Sequence, residues 1–369
     1  MSFNSEASLA SSARATISEA LSNGVPLISP TLSVSLGGLK KSARNGDLTL
    51  RNFKNVKWGQ GGTSFDWRVW KYRGRAVTDT GGLRMLDFKQ EDLLASPSIK
   101  YYKTHDEWGI GKGDLELNKN AGPQKIRDLK KDAITGAKNN VYAELARIPW
   151  AINETAHCGG LTMLSPTAVA ASTTYAGIAL NATTTNGTET FYYWRPTGSD
   201  YGNTLTLAAN FHSIVGTLTR QIKSGGADAQ GQIKRADFGV MDPDAWTHIE
   251  TFFESKTTLL AGSGSLPANR NLFEDDFENI IYKGVTYFYD DNFGGSTGYV
   301  DGAAAEEVLI GCSDSFIWAT TASQGSGLVQ VISSDKQLEA LVSGTVGTVE
   351  TEMTAFGVKN PMDFQLAYT

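Results

Sequence analysis

Cysteine, histidine and long apolar runs are all scarce in this chain. Its 369 residues include two cysteines, Cys158 and Cys312. That is too few for a disulfide framework, and both are expected as small buried hydrophobes in a reducing compartment. No apolar run approaches the ~18 residues that a membrane span requires. The first basic residue is Arg14, so no basic-headed secretory leader is expected and the protein is read as one that folds and stays in a cytoplasm. Ten prolines stand against 39 glycines, and that much glycine, with many serines and threonines, favours strands, turns and long loops over a helical bundle. At 40% hydrophobic and 20% charged residues, disorder is excluded as the main state. The length suffices for one large domain or two to three small ones.

Reactive constellations are equally sparse. His105, His157, His212 and His248 form neither an i, i+4 pair nor a Cys/His ligand spacing, so no metal site is expected. The adjacent His157 and Cys158 are read as structural. Glu274 with Asp275, and Asp290 with Asp291, supply the residue types of a glycosidase, but adjacent acids point in different directions and are expected in solvated turns. Gly109, Gly111 and Gly113 miss the GxGxxG spacing, and Lys112 is not followed by Ser or Thr, which removes a phosphate-binding loop. No GxSxG elbow stands out. No catalytic residue, metal or cofactor is expected, and the chain is not read as an enzyme.

Charge is what the sequence distributes most unevenly. Residues 1–150 carry 23 Lys and Arg against 15 Asp and Glu, a balance of +8, whereas residues 151–369 carry 10 against 24, a balance of −14. Attraction between the two parts is ordinary within one molecule, and such asymmetry also suits head-to-tail association of identical subunits. The net −6 does not suggest a dedicated DNA binder.

Residues 1–50 place Leu9, Ala13, Ile17, Ala20 and Leu21 at helical spacing, followed by Gly24, Pro26, Pro30 and Gly37-Gly38. This tract reads as an arm with too few large apolar residues for a core, held by a neighbouring subunit. Residues 63–73 alternate as a strand with aromatics on both faces, Phe65, Trp67 and Val69 on one and Trp70 and Tyr72 on the other. Ser98 to Thr104 runs back, giving a long two-stranded excursion that should lie on another surface, because an isolated hairpin is marginal in water. The interleaved Trp67, Arg68, Trp70, Lys71, Tyr72, Arg73, Arg75 and Arg84 are read as subunit-contact residues in preference to base-stacking ones.

Pro123 opens a helix that runs to Ile148 and stops at Pro149. Ile126, Leu129, Ile134, Val141 and Leu145 mark its core face, together with Ala133 and Ala137, while Lys125, Asp128, Lys131, Asp132 and Lys138 are placed on the surface. The acidic half mixes helices over 205–218 and over 243–253, behind an Asp242 cap, with strands over 191–194, 280–288, 308–311, 316–318 and 328–332. Segments 224–230 and 262–270 are read as exposed loops. The fold class is α+β, without internal repeats.

Several segments follow one another in a telling order: Phe65-Asp-Trp-Arg68, Trp108-Gly-Ile-Gly111 with Leu115-Glu-Leu-Asn118 before the long helix, and Gly159-Gly-Leu161. Gly177-Ile178 then leads to Tyr193-Trp-Arg-Pro196, followed by Phe238-Gly-Val-Met-Asp-Pro-Asp-Ala-Trp246 and Phe356-Gly-Val-Lys-Asn-Pro361. In this arrangement the chain resembles the major capsid proteins of tailed bacteriophages, the Hong Kong 97 fold. The resemblance implies an N-terminal arm (1–50), an extended β loop (51–107), a peripheral domain with a spine helix (108–158, rejoined by 318–369) and an axial domain (159–317). It implies a structural protein of the virion capsid, assembled in the host bacterial cytoplasm. Copies would join as hexamers and pentamers into an icosahedral shell around double-stranded DNA, contacted non-specifically. Implied partners are a portal protein, a decoration protein in shells that carry one, and no membrane. No charged coiled-coil-like segment precedes the arm, so a separate scaffolding protein is expected. Some relatives form a Lys–Asn isopeptide cross-link; Lys71 or Lys89 with Asn360 would be the pair here, but nothing in the sequence marks them. The competing readings are a phage tail or receptor-binding subunit, and a carbohydrate-active enzyme using acids of the second half.

Overall fold

The computed structural model describes residues 29–37, 54–71, 94–111, 123–150, 160–164, 173–186, 189–196, 199–200, 216–217, 219, 235–243, 245–247, 279–282, 284–293, 307–323, 329–333 and 345–368. The first helix, α1 (Pro30–Leu36), has local signals at both ends. Ser29 Oγ accepts the Leu32 amide at 3.3 Å as an N-cap, Pro30 occupies the first helical position, and Gly37 ends the helix at φ +98°. Leu32, Val34 and Leu36 are buried in the main core. Trp318 Nε1 donates to Ser35 Oγ at 3.0 Å, and Asn55 Nδ2 donates to the carbonyls of Ser35 (3.0 Å) and Ser313 (2.8 Å). For Pro30–Leu36 this corrects the reading of an arm held by a neighbour; residues 1–28 and 38–50 lie outside the described residues. At Pro30–Leu36 the tract is core of its own subunit, because three apolar side chains suffice when the rest of the chain closes around them.

The second helix, α2 (Pro123–Arg147), is 25 residues long, roughly 37 Å at ~1.5 Å per residue. It continues into a short 3-10 helix, Ile148–Trp150. Ile134, Ala137, Val141, Tyr142, Leu145 and Ala146 are buried, whereas Leu129 is half-buried. Ile126 lies on α2, with its side-chain packing outside what is described. Lys138, expected on the surface, is buried instead, with its ammonium 5.8 Å from the Tyr142 ring centroid. Its aliphatic stem suits an apolar face, and burial lowers the ammonium pKa. The same burial raises the Tyr142 hydroxyl.

A six-stranded mixed sheet has the order β11 (Ser199–Asp200), β20 (Phe364–Tyr368), β15 (Glu307–Gly311), β12 (Phe238–Met241), β14 (Val285–Tyr289), β13 (Asn279–Tyr282). One three-stranded sheet orders β1 (Val56–Lys57), β16 (Phe316–Thr320), β19 (Thr354–Val358). Another orders β17 (Val329–Ser333), β18 (Thr345–Thr351), β6 (His105–Ile110), and α2 packs on β6 and β18. Two-stranded pairs join β2 (Ser64–Asp66) to β5 (Ser98–Lys100), β3 (Val69–Trp70) to β4 (Leu94–Ala95), β7 (Thr174–Tyr175) to β8 (Ile178–Ala179), and β9 (Thr183–Asn186) to β10 (Glu189–Tyr192).

One bent ribbon links two of these sheets. β15 and β20 pair in the six-stranded sheet; β16 and β19, their continuations, pair in the three-stranded one. Both strands change sheet through a 3-10 turn, Ser313–Ser315 and Pro361–Asp363. The turns are tied together: Ser315 Oγ donates to the Asp363 carboxylate, the Cys312 amide to the Asp363 carbonyl at 3.2 Å, and the Lys359 amide to the Ser315 carbonyl at 2.7 Å. Phe238, Phe316, Phe356 and Phe364 bridge both sheets, with the Phe316 ring centroid 5.2–6.0 Å from the other three. Within 318–369, β20 lies in the six-stranded sheet, whereas β17 and β18 lie in the sheet that carries β6.

A second correction concerns 280–288. It is a hairpin of β13 and β14, since Gly284 takes φ +80° and lets the chain reverse where one strand was expected. The Asp242 cap is present, its Oδ1 accepting the Ala245 amide at 2.7 Å. Segments 224–230 and 262–270 and nearly all of the expected 205–218 helix lie outside the described residues.

Candidate functional site

The two-stranded excursion is rooted by alternation along residues 65–70. Phe65 and Trp67 are half-buried and Val69 buried, while Asp66, Arg68 and Trp70 between them are exposed. Its strands pair Phe65 with Ile99 and, further out, Trp70 with Leu94. Between the two pairings the Trp67 amide donates to the Pro97 carbonyl at 3.2 Å.

Trp67 fastens this root to the body. Its ring stacks on Phe65 at 6.0 Å and meets Trp194 at 6.5 Å, and its Nε1 donates to the Lys359 carbonyl at 2.9 Å, beside the ribbon's bend. Fully buried Trp194 donates from Nε1 to the Tyr175 carbonyl at 3.2 Å, while the Tyr175 hydroxyl accepts the Val358 amide at 2.8 Å. The β7–β8 turn places Ala176 at φ +52° and Gly177 at φ +79°, a primed turn that is mildly strained at alanine. The Ala176 carbonyl in turn accepts the Ser98 amide at 3.0 Å. Ile99 rests on the bare backbone of β19: a Cβ added at Gly357 would collide with Ile99 Cδ1.

This mount presents an exposed Arg and an exposed aromatic together. Trp70 is 47% exposed, and Arg68, two residues earlier on the same strand face, is exposed too. Near Trp194, Tyr192 is 46% exposed and the Arg195 guanidinium sits 4.6 Å from its ring centroid. Sequence reasoning missed Tyr192 and Arg195 as surface groups, although the run Tyr192-Tyr-Trp-Arg-Pro196 holds an aromatic–Arg pair flanking a bulky anchor. Of the residues read as subunit contacts, Trp67 is packed into its own chain and Lys71 is half-buried. Tyr72, Arg73, Arg75 and Arg84 lie outside the described residues, as does Lys89. Asn360 caps the Pro361–Asp363 turn by accepting the Met362 amide at 3.0 Å.

Asp290, expected in a solvated turn, is buried, accepting from Ser29 Oγ at 2.5 Å and from the Asn292 amide at 3.0 Å. Glu274 and Asp275 lie outside the described residues. Glu307 is 4% exposed, with no hydrogen-bond partner on Oε2. Burial, then the neighbouring Asp242 carboxylate, push its pKa up to about 7. Among the described residues no three His, Cys, Asp or Glu side chains gather as a metal site, and no helix is long and apolar enough to cross a membrane. His105 is exposed and Cys312 buried; the other histidines and Cys158 lie outside the described residues.

No protein-family model matches the sequence, and no curated protein does. Solved structures do. The cyanophage A-1(L) capsid asymmetric unit is similar at a TM-score of 0.55 and 16% identity, over 85% of this chain and 90% of that one. The capsid structure of cyanophage P-SCSP1u is similar at 0.50 and 13% identity, over 85% of each chain. Over that length the chain has the phage capsid fold that its sequence resembles.

Proposed function

We propose that this chain is the major structural subunit of a tailed-phage head, assembling as hexamers and pentamers into a closed icosahedral shell around double-stranded DNA. The observation that carries this is the fold match, which spans 85% of this chain and 90% of a cyanophage capsid chain. In this reading the excursion of 51–107 is the extended loop that reaches a neighbouring subunit, α2 is the spine of a peripheral domain, and the six-stranded sheet belongs to the axial domain. The spine's core face is Ile126, Ile134, Val141 and Leu145, with Leu129 at its margin. Arg68, Trp70, Lys71, Tyr72, Arg73, Arg75 and Arg84 serve contact between subunits, and Trp67 holds the loop's base. The role is structural, and the DNA contact is non-specific, as a net charge of −6 with scattered Lys and Arg suits. A separate scaffolding protein, a portal protein and, on some shells, a decoration protein complete the assembly in the host cytoplasm.

The test is negative-stain microscopy of the expressed protein. Closed particles of uniform diameter are expected, alone or with the scaffolding protein co-expressed. Small soluble oligomers under both conditions would refute the reading.

A further inference from the structure

We infer that Tyr192 and Arg195 form a second docking point for another copy of this chain, beside the loop base, and that it receives carboxylates of that copy's acidic part. The inference rests on the shell reading and deepens it by naming a contact outside the extended loop.

The pair is built on a fixed footing. Along 192–196 Tyr192 and Arg195 are exposed, Tyr193 is half-buried, and Trp194 and Pro196 are buried. Trp194, with no exposed surface, is held by its bond to the Tyr175 carbonyl and its contacts with Tyr175 and Trp67. The β9–β10 ladder fixes Tyr192 opposite Thr183. The Arg195 guanidinium lies 4.6 Å from the Tyr192 ring centroid, so the ring orders the arginine without consuming its hydrogen-bond donors. An ordered aromatic–arginine pair at nearly half exposure has the composition of an interface hot spot, and little side-chain entropy remains to be lost on binding.

Charge identifies the occupant. A planar guanidinium selects carboxylates or phosphates, and the chain carries 24 Asp and Glu against 10 Lys and Arg in residues 151–369. Every copy therefore presents a surplus of the group that Arg195 accepts, at the high local concentration of a shell. Trp67 contacts both Trp194 and the loop base that bears Arg68 and Trp70. Exposed Arg68 and Trp70 on the loop and the Tyr192–Arg195 pair thus flank the same Trp67–Trp194 contact, and a neighbour that engages the loop is brought to the Tyr192–Arg195 pair.

The experiment compares wild type, Arg195→Glu and Arg195→Lys by light scattering of assembly at low and high salt, with circular dichroism of each subunit. Arg195→Glu should slow assembly about tenfold at low salt and flatten its salt dependence, while Arg195→Lys keeps much of the rate. Hydroxyl-radical footprinting of wild type supplies a readout independent of variant folding: Tyr192 should be reactive in free subunits and protected in assembled ones. Unchanged Tyr192 reactivity on assembly, or a folded Arg195→Glu protein with the wild-type rate and salt slope, overturns the inference while leaving the shell reading standing. A wild-type protein that sediments as a monomer under all conditions overturns both.

Discussion

Glu307 shows how much one side chain in a packed sheet can matter. Its burial, and then the neighbouring Asp242 carboxylate, favour the protonated form, which carries the pKa from an ordinary 4.5 to about 7. Between those values the folded chain holds a proton that the unfolded chain has released, so stability is fully present below pH 4.5 and falls as pH rises towards 7. Over the whole window the loss is roughly 3 kcal/mol, at about 1.4 kcal/mol per pKa unit. Glu307→Gln keeps the shape and removes the titration. Its melting temperature should be nearly flat between pH 5 and 8, approaching the acid-side value of wild type if the other carboxylates contribute equally to both. Thermal unfolding across that range checks this, and a Glu307→Gln slope equal to the wild-type slope would show that the proton sits elsewhere.

At the scale of elements, α1 and α2 make opposite cases. α2 was legible because its apolar positions repeat over seven turns and prolines bracket it; sequence alone could not tell that Leu129 lies at the margin of the buried face and Lys138 inside it. Those details depend on where β6 and β18 end, and neither strand was expected, since glycines in Trp108-Gly-Ile-Gly and Thr345-Val-Gly weaken the alternating pattern. The consequence is graded. Val141→Asp puts a carboxylate into a site with 1% exposure and should prevent folding, whereas half-buried Leu129→Asp should be tolerated at a cost of about 1–2 kcal/mol. Chemical denaturation of both variants separates them.

α1 was missed although Ser29, Pro30 and Gly37 spell its cap, first turn and stop. Seven residues with only three large apolar side chains do not stand out by periodicity, and the groups that bond to Ser35, Trp318 and Asn55, are remote in sequence. Val34 is fully buried there. Val34→Asp should therefore destabilise the isolated subunit by at least ~3 kcal/mol, the lost apolar burial plus the desolvated charge. Denaturant melts of unassembled protein provide the check; an unchanged midpoint would return this segment to the role of an external arm. The excursion was visible in the alternation of 65–70, but its anchorage was not, because Trp67 meets Trp194 and Lys359 only in the folded chain.

At the scale of the whole molecule, long-range charge and local apolar contact divide the work of association. The basic and acidic parts, at +8 and −14, attract copies over about a Debye length, ~10 Å at 0.1 M salt, and so act on encounter rates. Each exposed ion pair adds only ~0.2–1 kcal/mol once formed. Trp70, 47% exposed on the loop strand, is the kind of anchor whose truncation costs about 2 kcal/mol or more in a protein interface, by hydrophobic burial that salt does not screen. Two substitutions on the same strand face should therefore separate the terms. Arg68→Glu should slow assembly at low salt and converge on wild type as salt rises. Trp70→Ala should raise the critical concentration for assembly roughly thirtyfold, by a similar factor at low and high salt, with the subunit still folded because nearly half of the side chain faces solvent. Light scattering against protein concentration at two ionic strengths distinguishes them, and a Trp70→Ala critical concentration equal to that of wild type would mean that the loop's outer aromatic face is not what neighbouring copies grip.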